Sequence, residues 1–177
     1  KAIAINPCID RFWLSYVDNW KMYSRVKNVP FDEAPVLKSL YKKYRNQQLL
    51  VKIANYYYEE KSYDTAAHYY QQLLKNDRRN FTYLKTIAEC NLKTKKYRNA
   101  IEYAERALKI EKEYGMYETM ADAYYALGKK EMFLIQLQLA QAYSPDTPNN
   151  LAARYSRYQN DPAFIKIINY DFFNTQY

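Results

Sequence analysis

Between residues 50 and 74 the apolar side chains keep a helical period. Leu50, Ile53, Ala54 and Tyr57 form one set and, after a polar break, Tyr63, Ala66, Tyr70 and Leu74 form another. Spacings of three and four residues put side chains on one face of an α-helix, whereas a half-buried strand would alternate. The pattern returns 34 residues later as Leu84, Ile87, Ala88 and Asn91, then Tyr97, Ala100, Ala104 and Leu108. A third copy arrives one residue short: Tyr117, Met120, Ala121 and Tyr124, then Phe133, Leu137 and Ala140, with Gly128 in its turn and Pro145 at its close. Helices of about a dozen residues are marginal in isolation. Each therefore needs a neighbour to cover its apolar face, and the repeats must stack. Ala54, Ala66, Ala88, Ala100 and Ala121 are small where the ridges of one helix must enter the grooves of the next.

The flanks continue the pattern less regularly. Trp13, Tyr16, Val17 and Trp20 fill the columns of a first helix, and a second is predicted to start near Asp32-Glu33-Ala34-Pro35 and run through Leu37, Leu40, Tyr41 and Tyr44. Acidic residues and proline suit a first turn. The connection 29–35 is longer than the other turns. After Pro145 come Leu151, Tyr155 and Tyr158, then Asn160-Asp161-Pro162 and an apolar helix with Phe164, Ile167, Ile168 and Phe172. Asp161-Pro162 reads as an N-cap followed by N1, and the last pair as a cap over the exposed end of the stack.

From about Gln47 to Thr147 these residues resemble the tetratricopeptide repeat (TPR) motif, two antiparallel helices with small residues at their crossing and a closing proline. The resemblance implies an all-α, right-handed superhelical solenoid of antiparallel helix pairs with a C-terminal capping helix. Residues 1–46 form an irregular or truncated first pair, 47–147 hold three repeats (47–80, 81–113 and 114–147), and 148–177 form the final pair. Ala2-Ile3-Ala4-Ile5-Asn6-Pro7 is similar to the closing segment of a further unit. Family members hold ligands along the concave surface of the first helices. Carried over column by column, that surface comprises Gln48, Val51, Asn55 and Tyr58, then Thr82, Lys85 and Glu89, then Glu118, Asp122 and Tyr125. The set describes a mixed groove that turns acidic toward its C-terminal end. TPR domains that grip the acidic tails of heat-shock chaperones share a Lys/Asn/Arg clamp. Here Asn55 alone matches, with Val51 in place of the lysine and Gly115 and Thr119 where cations are needed. Capture of a free carboxylate depends on such charge-assisted bonds, so that reading is rejected. The implied function is a non-catalytic scaffold that binds a protein, as a peptide or a partner helix.

Composition narrows the chemistry further. With 2 glycines and 6 prolines, phosphate-cradling loops and hairpin turns have little material. The 22 tyrosines suit half-covered positions, because each joins an apolar ring to a hydroxyl that reaches water. His68 is the only histidine and Cys8 and Cys90 the only cysteines, so no catalytic constellation or convincing metal shell is expected, nor any cofactor. The thiols are read as buried and inert. Asn80-Phe81-Thr82 fits a glycosylation acceptor, but Asn80 is read as a turn residue.

The formal charge of +8 comes from 27 basic and 19 acidic residues. It permits an acidic partner without requiring one. Basic residues gather at turns: Lys61; Lys93, Lys95, Lys96 and Arg98; Lys129 and Lys130. They define the alternative function, a basic edge that tracks an RNA backbone. Glu59 and Glu60 interrupt that edge, and protein is ranked ahead of nucleic acid as the partner. No apolar run approaches the roughly 18 residues of a membrane span. The compartment is left open by a chain that starts at Lys1, with a soluble, cytoplasmic setting slightly favoured, and self-association is also left open.

Overall fold

A computed structural model describes residues 7–28 and 31–144. Within them are eight α-helices: α1 (Pro7–Lys27), α2 (Glu33–Tyr44), α3 (Gln47–Glu59), α4 (Tyr63–Asn76), α5 (Phe81–Lys93), α6 (Tyr97–Leu108), α7 (Tyr114–Ala126) and α8 (Lys130–Tyr143). No strand occurs among the described residues. The upstream remnant at Ala2–Ile5 and the expected C-terminal cap lie outside the described residues.

Three of the helices, α2, α3 and α5, start where a short polar side chain satisfies the first backbone donors. Asp32 Oδ1 accepts from the Ala34 amide at 3.0 Å. Asn46 Oδ1 accepts from the amides of Gln48 at 2.6 Å and Leu49 at 3.4 Å, and Asn80 Oδ1 accepts from Tyr83 at 3.0 Å. Asn80 is thus the N-cap of α5.

The turns inside the pairs repeat one construction. Lys61, Lys95 and Gly128 have φ of 58°, 61° and 69°. In each turn two amides close back on the helix: Lys61 to the Tyr58 carbonyl and Ser62 to that of Tyr57, then Lys95 to Leu92 and Lys96 to Asn91, then Gly128 to Tyr125 and Lys129 to Tyr124, at 2.8–3.0 Å. This paired closure around a left-handed residue is the Schellman motif, and it sends each second helix back along the first.

Each helix packs on the next in sequence, and α5 also touches α7. The largest apolar cluster runs from Leu50 on α3 to Ala140 on α8. A second joins Val17 of α1 to Leu37, Leu40, Leu49 and Ile53, and a third gathers Ala66, Ala67 and Cys90. The five alanines expected at helix crossings, Ala54, Ala66, Ala88, Ala100 and Ala121, are completely buried. A β-methyl there lets the helix backbones come close, which larger side chains would prevent.

Candidate functional site

The residues expected to face a ligand sit on the first helix of each repeat, α3, α5 and α7. Their spacing of three or four residues carries each set up one side of its helix. Gln48, Asn55, Thr82 and Tyr125 are exposed, while Val51, Tyr58, Lys85, Glu89, Glu118 and Asp122 are half-buried. Val51 packs against the main core, and the Tyr125 ring lies 5.3 Å from that of Phe133.

Several of these side chains are held by their neighbours. The Tyr58 hydroxyl donates to Glu89 Oε2 at 3.0 Å and so links α3 to α5. Burial, with Glu89 beside it, pushes that phenol well above its ordinary value, so it remains a donor. Asn55 Oδ1 accepts from the hydroxyl of Tyr70 on α4, and burial raises the Tyr70 phenol to about 12. Lys85 Nζ reaches Glu113 Oε1 at 3.0 Å, tying α5 to the N-cap of α7. Burial works against the Lys85 cation, but the hydrogen bond and charge of Glu113 outweigh it and hold the amine above its usual range.

Glu113 and Tyr70 are the participants that the column-by-column reading missed. Glu113 has a signal in the sequence, because Gly115 follows two residues later. A β-carbon at Gly115 would come within 3.0 Å of Glu113 Oε1 and 3.2 Å of Oε2, so the glycine makes room for the carboxylate to fold over the start of α7. The second oxygen, Glu113 Oε2, is buried without a protein partner. The columns where a chaperone-tail clamp would carry cations therefore hold something else. Gly115 cradles an acid, and the Thr119 hydroxyl is spent on the Gly115 carbonyl at 2.9 Å.

Other candidate chemistry is placed as follows. His68 is exposed, with Nε2 2.8 Å from Gln72 Nε2. Cys90 is fully buried, and burial raises its thiol to about 12, as expected of an inert thiol. On the basic edge Lys96 pairs with Asp64 at 3.0 Å, and Lys129 Nζ lies over the Tyr124 ring at 6.0 Å. No group of three His, Cys, Asp or Glu side chains that could hold a metal occurs among the described residues, and no helix there is long and apolar enough to cross a membrane.

No protein-family model matches the sequence, and no curated protein matches it. Solved structures do. The TPR domain of Arabidopsis OM64 superposes with a TM-score of 0.55 at 18% identity, over 63% of this chain and 95% of that one. A MamA RS-1 double mutant gives 0.65 at 17% identity, covering 89% of this chain and 93% of that one. MamA from residue 41 to its end, from Desulfovibrio magneticus RS-1, gives 0.63 at 15% identity over 92% and 97%. With helix pairs turning on Schellman motifs, buried alanines at their crossings and these structural likenesses, the chain has the fold of a tetratricopeptide repeat solenoid.

Proposed function

We propose that this chain is a non-catalytic scaffold that holds a peptide or helix of a partner protein against the face made by α3, α5 and α7. The observation that carries the reading is the bracing of that face. Tyr58–Glu89 spans α3 and α5, and Lys85–Glu113 spans α5 and the start of α7. A receptor surface fixed before its ligand arrives loses less conformational freedom on binding. Around those braces Gln48, Thr82 and Tyr125 remain exposed, offering amide, hydroxyl and aromatic contacts beside the carboxylates of Glu118 and Asp122. Such a face suits a neutral to basic segment with both polar and apolar side chains.

The test is site-specific photocrosslinking in the native extract. A photoreactive residue is placed at Gln48, Thr82 or Tyr125 on this face, or at Glu102 or Lys109 on α6 and its end as controls. One common partner is expected from the first three positions, with loss of its capture through positions 48 and 82 on combining Asn55→Ala with Tyr125→Ala. Equal crosslinking from the α6 controls would reject this face as the binding site.

A further inference from the structure

Six of the eleven exposed large hydrophobic side chains among the described residues lie on α1: Phe12, Tyr16, Trp20, Met22, Tyr23 and Val26. Their exposure runs from 41% for Tyr16 to 76% for Val26. The opposite side of α1 already faces the solenoid. Val17 is fully buried in the second core cluster, Lys21 reaches Glu33 at 2.7 Å, and Asp18 reaches Lys52 at 2.6 Å. The helix therefore has one face toward its own fold and a second apolar face directed away from it. On that second face Trp20 stacks on Phe31 and meets Tyr16 and Tyr23 edge-on, and a shallow cleft of about 390 Å³ opens between Tyr16, Asn19, Trp20 and Tyr23.

Phe12, Tyr16, Asn19, Tyr23 and Val26 follow one another at steps of four, three, four and three. A repeat of 3.5 residues keeps a stripe in register with another helix along its length. We propose that α1 forms the seam of a homodimer, packed antiparallel against α1 of a second copy about a two-fold axis at Asn19. The proposal is independent of the groove on α3, α5 and α7.

Area, polarity and charge each point to this occupant. Taking roughly 150–250 Å² per aromatic side chain and the fractions exposed, the stripe with Met22 and Val26 offers about 500–600 Å² per copy. Two copies then bury about 1,100 Å², enough for a specific but weak interface. Asn19 lies within the stripe and Ser15 beside it, the Asn19 amide donating to Ser15 Oγ at 3.4 Å, a polar pair better suited to a protein seam than to a lipid interior. In a two-fold seam the Asn19 amides meet each other, and one polar pair in such a seam fixes its register. Each chain carries +8, so copies repel. Lys27 is an exposed cation just beyond Val26 at the end of the stripe, and the antiparallel arrangement sends the two Lys27 to opposite ends, about 24 Å apart at 1.5 Å per residue. That exceeds the roughly 8 Å screening length of physiological salt, whereas a parallel seam would set them side by side.

Sedimentation velocity of the whole chain from 1 to 200 µM tests the seam. A monomer–dimer equilibrium is expected within that range between the 21.3 kDa chain and twice that mass. Tyr23→Glu combined with Val26→Glu should weaken it at least 30-fold while leaving the chain helical and folded, because both residues are more than half exposed. In a Cys8→Ser background, Asn19→Cys should form an intermolecular disulfide under mild oxidant and Val26→Cys should not. A chain that stays monomeric at 200 µM, including one that instead co-sediments with anionic vesicles, overturns the proposal. So does a dimer indifferent to the double glutamate variant, and equal crosslinking through residues 19 and 26 overturns the antiparallel arrangement.

Discussion

In the left-handed backbone region a β-carbon crowds the following carbonyl, and Lys61 and Lys95 both carry one there, where Gly128 stands in the third repeat. Lys61→Gly and Lys95→Gly should each stabilise the protein by about 0.5–1 kcal/mol, the relief of strain exceeding the added freedom of the unfolded chain. Gly128→Ala should cost about 1 kcal/mol, since nothing crowds its β-position and only the backbone objects. Thermal melting of the three variants checks this, and a lower melting temperature for Lys95→Gly would contradict it. The 34-residue offset puts these lysines at turns, but it does not show that the turn needs a positive φ. Gly115 acts through space instead. Gly115→Ala should push the Glu113 carboxylate aside by a few tenths of an ångström and weaken its coupling to Lys85, which for a partly exposed pair is about 1 kcal/mol. A double-mutant cycle with Lys85→Met and Glu113→Gln in each background measures it. Undiminished coupling in the Gly115→Ala protein would show that the acid needs no such cradle.

Between elements, contact is set by which side chains are small. Ala88 and Ala100 are fully buried on α5 and α6, so Ala88→Leu or Ala100→Leu should overpack the crossing and cost about 1–3 kcal/mol. Ile87→Ala on the same face should cost about 2–5 kcal/mol through the cavity it leaves, while the exposed Ala126 should accept Leu with little change. Urea unfolding of the four variants separates these costs, and a neutral Ala88→Leu would mean that the helices have room to part. These alanines were legible because the repeat places small residues at matching columns. α1 was legible only in part. Trp13, Tyr16, Val17 and Trp20 fill the columns of a first helix, yet Val17 is buried while Tyr16 and Trp20 are exposed. Period alone gives a helix its apolar stripe and does not say which side the neighbouring helices occupy.

Over the whole molecule, several buried protons fix the response to alkali. Burial raises Cys90 from 9.0 to about 12 and Tyr70 from 10.0 to about 12, and burial with the hydrogen bond to Asp32 takes Tyr56 from 10.0 to about 12. Above pH 9 the unfolded chain releases protons that the folded chain retains. Stability contributed by these groups is therefore full below about pH 8.5 and declines as pH climbs through 9 toward 12. Urea midpoints measured from pH 7 to 11 should be flat at first and then fall. Tyr70→Phe should shallow the decline above pH 10 and lower the plateau by the lost bond to Asn55, about 1 kcal/mol. Stability that rises between pH 9 and 11 would refute the assignment of these protons to the folded state.

The helices, their pairing and the small residues at their crossings were legible in the order of the residues alone. Those depend on spacings of three and four residues and on a 34-residue offset, both properties of the chain order. It also marked the columns that α3, α5 and α7 present. Which of those side chains remain exposed and which hold one another follows from the assembled helices. Tyr58 reaches Glu89 across 31 positions and Lys85 reaches Glu113 across 28, distances that no local pattern encodes. The outward aromatic face of α1 was decided at the same level. A side chain is buried or exposed according to what packs beside its helix, and that becomes known only when the helices are assembled.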